Sequence, residues 1–561
     1  MSLVSLRKKL AQPEPSWQLC LLGLAGGTLA SIFIIIFRLS VESIQLLFLD
    51  KIDDYSTLSD FYIFITPLIA VSAILIVAKI LGFKYTRMGI PFVIHRLKVA
   101  YGSIPFKNTL TQYFGGIFAL AGGFSVGKEG PAVHIGAASS SFFGSYFSLP
   151  KNSVRTLCAC GIAAGISTSF NTPLAAVIFV MEVILREYKL HVFVPVILAS
   201  IIGSIMSNAF FGPYHEYEFF AFIDLDLWHY PFLIIAGMML GTLATAFNKS
   251  LMAVVKLSDK LHMVKRLSLA AIIMASIAVL VPQSMGSGLN SVGFLFEQNP
   301  HVWLIFSLLI AKFIATVVVL GLGVPGGIIG PTLSIGAIAG ALMGFGVSFI
   351  YADIHFVSDY ALLGMAGMLA ATLNAPLAAL LAVIELSNQL QLALPAMVVI
   401  TSAFLTSSQF FKNRSIFLQQ LDYQGLAYQL APVERTLQKH GVISQMETDF
   451  TVLEHNENAI IRQQFIELEN NLQLIIKPAI SGGEYRTVEI DLNIHPFADE
   501  DQALRYISMP GIDSQATLAE AYFALYENRQ GAVYIYHRHQ DKIIGYLTFD
   551  KIRKILTHGD N

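Results

Sequence analysis

The feature that most constrains this chain is a series of apolar stretches, each long enough to span or nearly span a lipid bilayer. A membrane-spanning helix needs about 20 predominantly apolar residues. Stretches of this kind lie around residues 18–37, 61–82, 193–211, 230–247, 268–282, 302–323 and 390–406. Because they recur through most of the chain, we predict an all-α polytopic membrane protein.

Charged residues divide the chain into two parts. Only 13% of its 561 residues are charged, whereas a soluble globular protein has roughly a quarter. Residues 431–561 nevertheless carry 12 basic and 19 acidic residues, and residues 1–430 carry the other 24 and 19. We therefore predict a transmembrane domain over 1–430 and a small cytoplasmic α/β domain over 431–561. The formal net charge of −2 gives no indication of nucleic-acid binding.

The N-terminus predicts the orientation. Arg7, Lys8 and Lys9 precede the first apolar stretch, and no small-residue cleavage site follows it. This is typical of a retained first helix rather than a signal peptide. By the positive-inside rule the N-terminus is cytoplasmic, and we expect both termini on that side of the plasma (cell inner) membrane.

Four further apolar runs are interrupted by Gly, Pro and polar residues: 112–147, 157–185, 321–350 and 361–386. Broken backbone at membrane depth is tolerated only where it is buried in protein or lines a polar cavity. In transporters such breaks indicate the binding site.

The interrupted runs are duplicated. Residues 127–137 align with 327–337, 200 positions later. Phe-Asn-Thr-Pro-Leu-Ala-Ala at 170–176 aligns with Leu-Asn-Ala-Pro-Leu-Ala-Ala at 373–379, and a glutamate, Glu182 or Glu385, follows each. Two blocks in the same order indicate a duplicated membrane unit, with repeats over about 60–205 and 265–420.

Gly-Pro pairs at 130–131 and 330–331 each precede a helical run. Proline suits the first helical turn, and glycine lets the backbone approach a ligand closely. A helix that starts inside the membrane offers free N–H groups and a positive dipole end to an anion. The alternative is two kinks in ordinary packed helices; the duplication and the neighbouring Glu129 favour the anion site.

Glu129 is the candidate gate. A carboxylate in an apolar segment is energetically costly and usually functional. When ionised it can occupy the anion's place at a helix start, and when protonated or displaced it vacates that place. Ile329 holds the equivalent position in the second repeat. The weaker alternative is a structural glutamate paired with Lys128.

These motifs resemble those of the CLC family of chloride channels and transporters. Gly-Lys-Glu-Gly-Pro at 127–131 is similar to the family's G-K/R-E-G-P signature. Residues 327–331 resemble its second, G-x-F-x-P-like signature, with Ile329 where phenylalanine is usual. The resemblance, over about residues 15–425, implies two inverted-topology repeats, a homodimer with one pore per subunit, and Glu129 as the external gating glutamate. It implies that backbone N–H groups of Ile328 and Ile329 bind the central anion. The full anion-binding set it suggests is Gly102, Ser103, Ile104, Lys128, Gly130, Gly327, Ile328, Ile329 and Phe417.

Three further positions depart from the family pattern. The family's anion-binding serine falls on Gly102, with Ser103 one place later, in a loop ending Ile104-Pro105. Phe417 stands where a tyrosine hydroxyl is usual and has no hydroxyl to donate. Val183 stands where proton-coupled bacterial members carry an internal proton-relaying glutamate.

The site residues leave the mechanism open. Valine cannot carry a proton, so Val183 favours passive conduction, although Glu187 or a water chain could substitute. The sequence predicts a voltage- or pH-gated chloride channel. The alternatives are a Cl⁻/H⁺ antiporter, or a relative selective for another anion such as fluoride or nitrate. An enzyme is not expected, because Glu129 has no nucleophile, metal cluster or acid–base partner beside it in sequence.

The C-terminal part resembles CBS modules. Thr517 opens a helix, 531–536 and 543–548 are predicted strands joined by a turn at 541–542, and Lys551 begins a closing helix. The resemblance predicts a second module over about 505–557 and a degenerate first module over about 441–492. CBS pairs often bind adenine nucleotides, but Lys551 stands where the ribose-binding Asp is usual. A dimerisation platform without ligand is the alternative, and no other cofactor and no metal are expected.

Overall fold

A computed structural model describes the protein over residues 3–82, 89–214, 216–217, 225–296, 301–351, 356–453, 473–476, 485–490 and 504–558. These residues form two compact units. One comprises residues 20–143 and 155–428, and the other residues 1–19, 144–154 and 429–561.

The first unit is helical throughout. Its helices are α2 (Trp17–Gln45), α3 (Asp60–Ile80), α4 (Gly89–Val99), α5 (Phe106–Ala121), α6 (Glu129–Tyr146), α7 (Lys151–Phe170), α8 (Pro173–Phe179, continued by a π-helical turn over Val180–Leu185), α9 (Leu190–Phe211), α10 (Tyr230–Ser258), α11 (Met263–Leu280), α12 (Leu289–Gly293), α13 (Val302–Gly321), α14 (Ile329–Tyr351), α15 (Phe356–Leu373), α16 (Pro376–Ser387), α17 (Ala393–Leu405, continued by a π-helical turn over Thr406–Phe410) and α18 (Ile416–Gln424). Residues 17–19 at the start of α2, 144–146 at the end of α6 and 151–154 at the start of α7 belong to the second unit.

Nine helices among the described residues are long and apolar enough to cross a membrane. The seven predicted stretches fall on seven of them, so the prediction of an all-α polytopic protein is confirmed. The other two, Ile329–Ser348 and Phe356–Leu373, lie in interrupted runs.

The interrupted runs break where the sequence predicts. The chain leaves the helical conformation between α5 and α6, between α7 and α8, and at both equivalent places in the second repeat. Asn171 and Asn374, at equivalent breaks, both adopt left-handed backbone with φ of 56° and 54°. Asparagine tolerates this conformation better than most residues. The series α6–α9 therefore recurs as α14–α17.

Matching glycines pack the paired helices of each repeat. A Cβ at Gly136 of α6 would collide with the carbonyl of Gly161 on α7, and a Cβ at Gly336 of α14 with that of Gly364 on α15. Small residues let membrane helices approach closely, which gains van der Waals contact where the hydrophobic effect is absent.

The second unit contains the short helix α1 (Leu3–Leu10) and the C-terminal α/β region. Its helices are α19 (Pro432–Leu437), α20 (Val442–Gln445), α21 (Leu518–Leu525) and α22 (Phe549–His558), and its strands are β1 (Phe450–Leu453), β2 (Gln473–Ile476), β3 (Tyr485–Ile490), β4 (Leu504–Met509), β5 (Gly511–Asp513), β6 (Ala532–His537) and β7 (His539–Thr548). One sheet has the order β1-β2-β3-β4 and the other β5-β6-β7.

The local sequence explains where α21 begins. Thr517 and Glu520 form a capping box at the start of α21, which satisfies two free N–H groups of the first turn. The turn predicted at 541–542 is wrong: these residues lie within β7. The chain instead turns at Arg538, which has φ of 64°.

Candidate functional site

The two Gly-Pro motifs meet at one point. Gly127 donates to the carbonyl of Gly327 at 2.8 Å, and Gly327 donates to the carbonyl of Gly127 at 2.6 Å. This antiparallel bridge joins equivalent residues of the two repeats with opposed chain directions. A local two-fold axis between inverted repeats produces this arrangement, and it places the starts of α6 and α14 side by side.

Glu129, the first residue of α6, reaches the helix start of the other repeat. Glu129 is 2% exposed, and its Oε1 accepts a hydrogen bond from the Gly330 N–H at 2.9 Å. A carboxylate therefore occupies an anion's place at the positive end of α14. A Cβ at Gly327 would overlap this carboxylate, so glycine is needed for the close approach.

A cavity of about 70 Å³ lies beside this pair of helix starts. Four predicted site residues line it: Gly130, Gly327, Ile328 and Phe417. Phe417, at the start of α18, is 4% exposed and presents an apolar ring. Gln112 of α5 also lines this cavity, although no motif in the sequence indicates it.

Lys128 is directed elsewhere. It forms an ion pair with Glu216, and its ammonium lies 4.4 Å from the centre of the Phe170 ring. Both Lys128 and Glu216 line a second cavity, of about 350 Å³. The carboxylate that pairs with Lys128 is thus that of Glu216, which leaves Glu129 for the start of α14.

The loop of Gly102, Ser103 and Ile104 does not line the 70 Å³ cavity, although all three lie in the described part of the chain. Gly102 has φ of 80°, and a Cβ there would lie 2.6 Å from the Cβ of Cys158. The Ser103 N–H donates to the carbonyl of Ala100 at 2.9 Å, and its side chain is exposed. This loop is therefore a tight turn packed on α7.

The internal glutamate position is apolar. Val183 is 6% exposed and lies in the π-helical turn after α8. Ile329, equivalent to the gate position, is half-buried as the first residue of α14. Neither side chain can bind a proton.

Glu187, the alternative proton carrier, lies among three cations in the linker between the π-helical turn and α9. Its carboxylate oxygens lie 2.6 Å from Lys189 Nζ, 3.5 Å from Lys98 Nζ and 3.8 Å from the Arg155 guanidinium. Burial alone would raise its pKa, but the Lys189 hydrogen bond and the charges of Lys98 and Arg155 outweigh burial and lower the pKa to about 2. At neutral pH this group is a fixed charge.

The apolar helices and the adjacent starts of α6 and α14 define an integral, multi-pass membrane transport protein. Its fold matches solved structures of a slow cyanobacterial Cl⁻/H⁺ antiporter (TM-score 0.66, 21% identity, 72% of this chain and 97% of that chain) and of a eukaryotic CLC transporter (TM-score 0.62, 19% identity, 98% and 99%). The model of the voltage-gated chloride channel family matches residues 68–408, and the chain belongs to this family.

Curated relatives are similar over the same region. The chain is 29% identical over 340 residues to a ClcB-like chloride channel protein of Ralstonia nicotianae, covering 58% of this chain and 78% of the relative. It is 29% identical over 325 residues to the H⁺/Cl⁻ exchange transporter ClcA of Vibrio campbellii, covering 55% of this chain and 68% of the relative. The solved structure of a CLC-type fluoride/proton antiporter also matches (TM-score 0.60, 21% identity, 71% and 96%).

Proposed function

We propose that this protein carries chloride across the membrane through a pathway gated by Glu129. The observation that carries the proposal is the hydrogen bond from the Gly330 N–H to the Glu129 carboxylate. An ionised carboxylate there excludes the anion, and protonation or displacement frees the helix start. Backbone N–H groups bind an anion without a full positive charge, so the anion can also leave.

Conduction without proton coupling is the mechanism that we favour. Val183 cannot relay a proton, and the cations around Glu187 keep that carboxylate ionised. Proton-coupled exchange is the second candidate, supported by similarity to a relative named an H⁺/Cl⁻ exchange transporter. Selectivity for another anion, such as fluoride or nitrate, stays a prediction.

The deciding experiment measures chloride flux and proton movement together in liposomes that contain the full-length protein. We expect chloride flux without proton movement and a reversal potential that is independent of pH. Proton uptake driven uphill by a chloride gradient alone would contradict the channel and establish the exchanger. Flux of fluoride or nitrate without chloride flux would contradict the chloride assignment.

We also propose a homodimer in the plasma membrane with both termini in the cytoplasm. The basic N-terminal residues support this orientation. The boundary near residue 430 and the two repeat ranges stay predictions. Chemical cross-linking and protease accessibility in sealed vesicles test the assembly and the orientation.

We further propose that the C-terminal region carries two CBS-like modules. Each sheet supports this, since each contains a parallel strand pair followed by an antiparallel one: β1-β2-β3 and β5-β6-β7. Residues 454–472, 477–484 and 491–492 of the predicted first module lie outside the described residues. Adenine-nucleotide binding stays a prediction. Lys551 donates a hydrogen bond to Glu447 at 3.1 Å, so a nucleotide at this position would have to displace that pair.

A further inference from the structure

Gln112 is a buried amide with unused hydrogen-bonding capacity. It lies on α5, is 1% exposed, and neither its Nε2 nor its Oε1 has a hydrogen-bond partner among the described residues. A buried polar group without a partner costs about 1–3 kcal/mol. Native proteins retain such groups where a ligand, an ion or a water completes them.

The surroundings of Gln112 indicate which ligand completes it. The side chain lines the 70 Å³ cavity together with Gly130, Gly327 and Ile328. Gly130 and Ile328 adjoin the starts of α6 and α14, whose dipoles favour negative charge. A carboxamide contributes two N–H donors and no net charge, which suits an anion that must be bound and then released.

The equivalent residue of the second repeat strengthens the argument. Lys312, 200 positions after Gln112, is fully buried on α13. Its ammonium donates to the carbonyls of Ser284, Met285 and Gly286 at 3.1, 3.2 and 2.9 Å. Both repeats thus bury a long polar side chain at this position, and in the second repeat the protein itself supplies the acceptors. In the first repeat none of the described residues supplies an acceptor, and the adjoining cavity can hold one.

We propose that the side-chain amide of Gln112 binds the transported halide directly, by donating hydrogen bonds into this cavity. The proposal rests on the proposed function. It explains how the site works without a hydroxyl from Phe417 and with the Gly102–Ser103 turn away from the cavity. Gln112 then adds a side-chain donor beside the starts of α6 and α14.

The test compares full-length Gln112 variants in liposomes by the chloride concentration that gives half-maximal flux. Gln112→Leu keeps the side-chain volume and removes the donors, so the half-saturating chloride concentration should rise roughly tenfold. Gln112→Lys adds a charged donor and should lower half-saturation, while Gln112→Glu presents only acceptors and should abolish saturable flux. Gln45→Leu is the control, because Gln45 is a buried glutamine that donates to Tyr55 and Leu120 at 3.0 and 3.4 Å; its half-saturation should match wild type.

Each outcome bears on the proposal. The order Lys, Gln, Leu, Glu from tightest to weakest supports a direct ligand. If Gln112→Leu keeps the wild-type half-saturation, the amide binds only water and the proposal is wrong. Equal losses in all three Gln112 variants, with lowered thermal stability, would indicate a structural role and also overturn it. If the wild type carries no anion, the proposed function fails; if it carries chloride with a Glu129-dependent pH response and only the Gln112 results disagree, this inference alone fails.

Discussion

Glu182 and Glu385 each bind the start of the helix that carries the other. Glu182 accepts from the N–H groups of Leu377 and Ala378 at 3.3 and 2.7 Å. Glu385 accepts from those of Leu174 and Ala175 at 2.9 and 2.7 Å. Negatively charged acceptors at helix starts satisfy free N–H groups and interact favourably with the positive end of the helix dipole. Each glutamate therefore caps a helix of the other repeat, and the two caps connect the repeats.

Removing either cap should destabilise the protein without closing the pathway. We expect Glu182→Ala and Glu385→Ala each to lower the free energy of unfolding by about 2 kcal/mol, because charge-assisted bonds to backbone N–H groups are lost. Thermal unfolding in detergent measures the loss, and chloride flux per folded molecule should stay near wild type. A large loss for only one variant would contradict the equivalence of the two caps.

Glu129→Gln and Glu129→Ala should raise chloride flux at neutral pH and flatten its dependence on pH. The neutral amide resembles a protonated gate, and alanine leaves the start of α14 free. Liposome flux over a series of symmetric pH values measures the change. The Glu182→Ala variant is the control and should keep the wild-type pH profile. Wild-type behaviour of both Glu129 variants would show that the gate assignment is wrong.

Periodicity and duplication predict much of this molecule, because they are local or repeated features. The spans, the helix breaks at Asn171 and Asn374, and the equivalence of the two Gly-Pro motifs can all be seen in the sequence. The sequence does not show that Glu129 bonds to Gly330, since such contacts depend on how the repeats pack. Gln112 was missed for the same reason: one polar residue in an apolar helix is distinctive only when it is found buried beside a cavity without a partner.

Substitution of Gly330 should weaken closure of the gate. A Cβ at Gly330 would lie 3.0 Å from the carbonyl oxygen of Ser287 and 3.1 Å from Oε1 of Glu129. Gly330→Ala should therefore push the carboxylate off the start of α14, raise flux at neutral pH and lower thermal stability. Gly346→Ala, in the same helix, is the control, since a Cβ there meets no described atom within 4 Å. A Gly330→Ala protein with the pH profile of wild type would contradict the tight fit.

Phe417→Tyr should tighten anion binding. The ring lines the cavity at the helix starts, and a hydroxyl adds one donor there. One hydrogen bond of about 1 kcal/mol corresponds to roughly a fivefold lower half-saturating chloride concentration. Phe417→Leu is the control for packing and should not tighten binding. Unchanged half-saturation in Phe417→Tyr would show that the ring edge does not face the anion.

Glu187 should stabilise the protein at neutral pH through its ionised form. Its folded-state pKa of about 2 lies below the ordinary value of 4.5, so the ion pairs contribute fully above pH 4.5, and their contribution is lost as pH falls towards 2. We expect Glu187→Gln to lower the melting temperature at pH 7 and the difference from wild type to shrink between pH 4.5 and pH 3. Glu527→Gln, at an exposed position, is the control and should change the melting temperature little at either pH.

Because a carboxylate fixed by Lys98, Arg155 and Lys189 does not release and rebind protons near neutrality, Glu187→Gln should also leave any proton movement in liposomes unchanged. Loss of proton movement in that variant would instead identify Glu187 as a proton carrier and favour the exchanger.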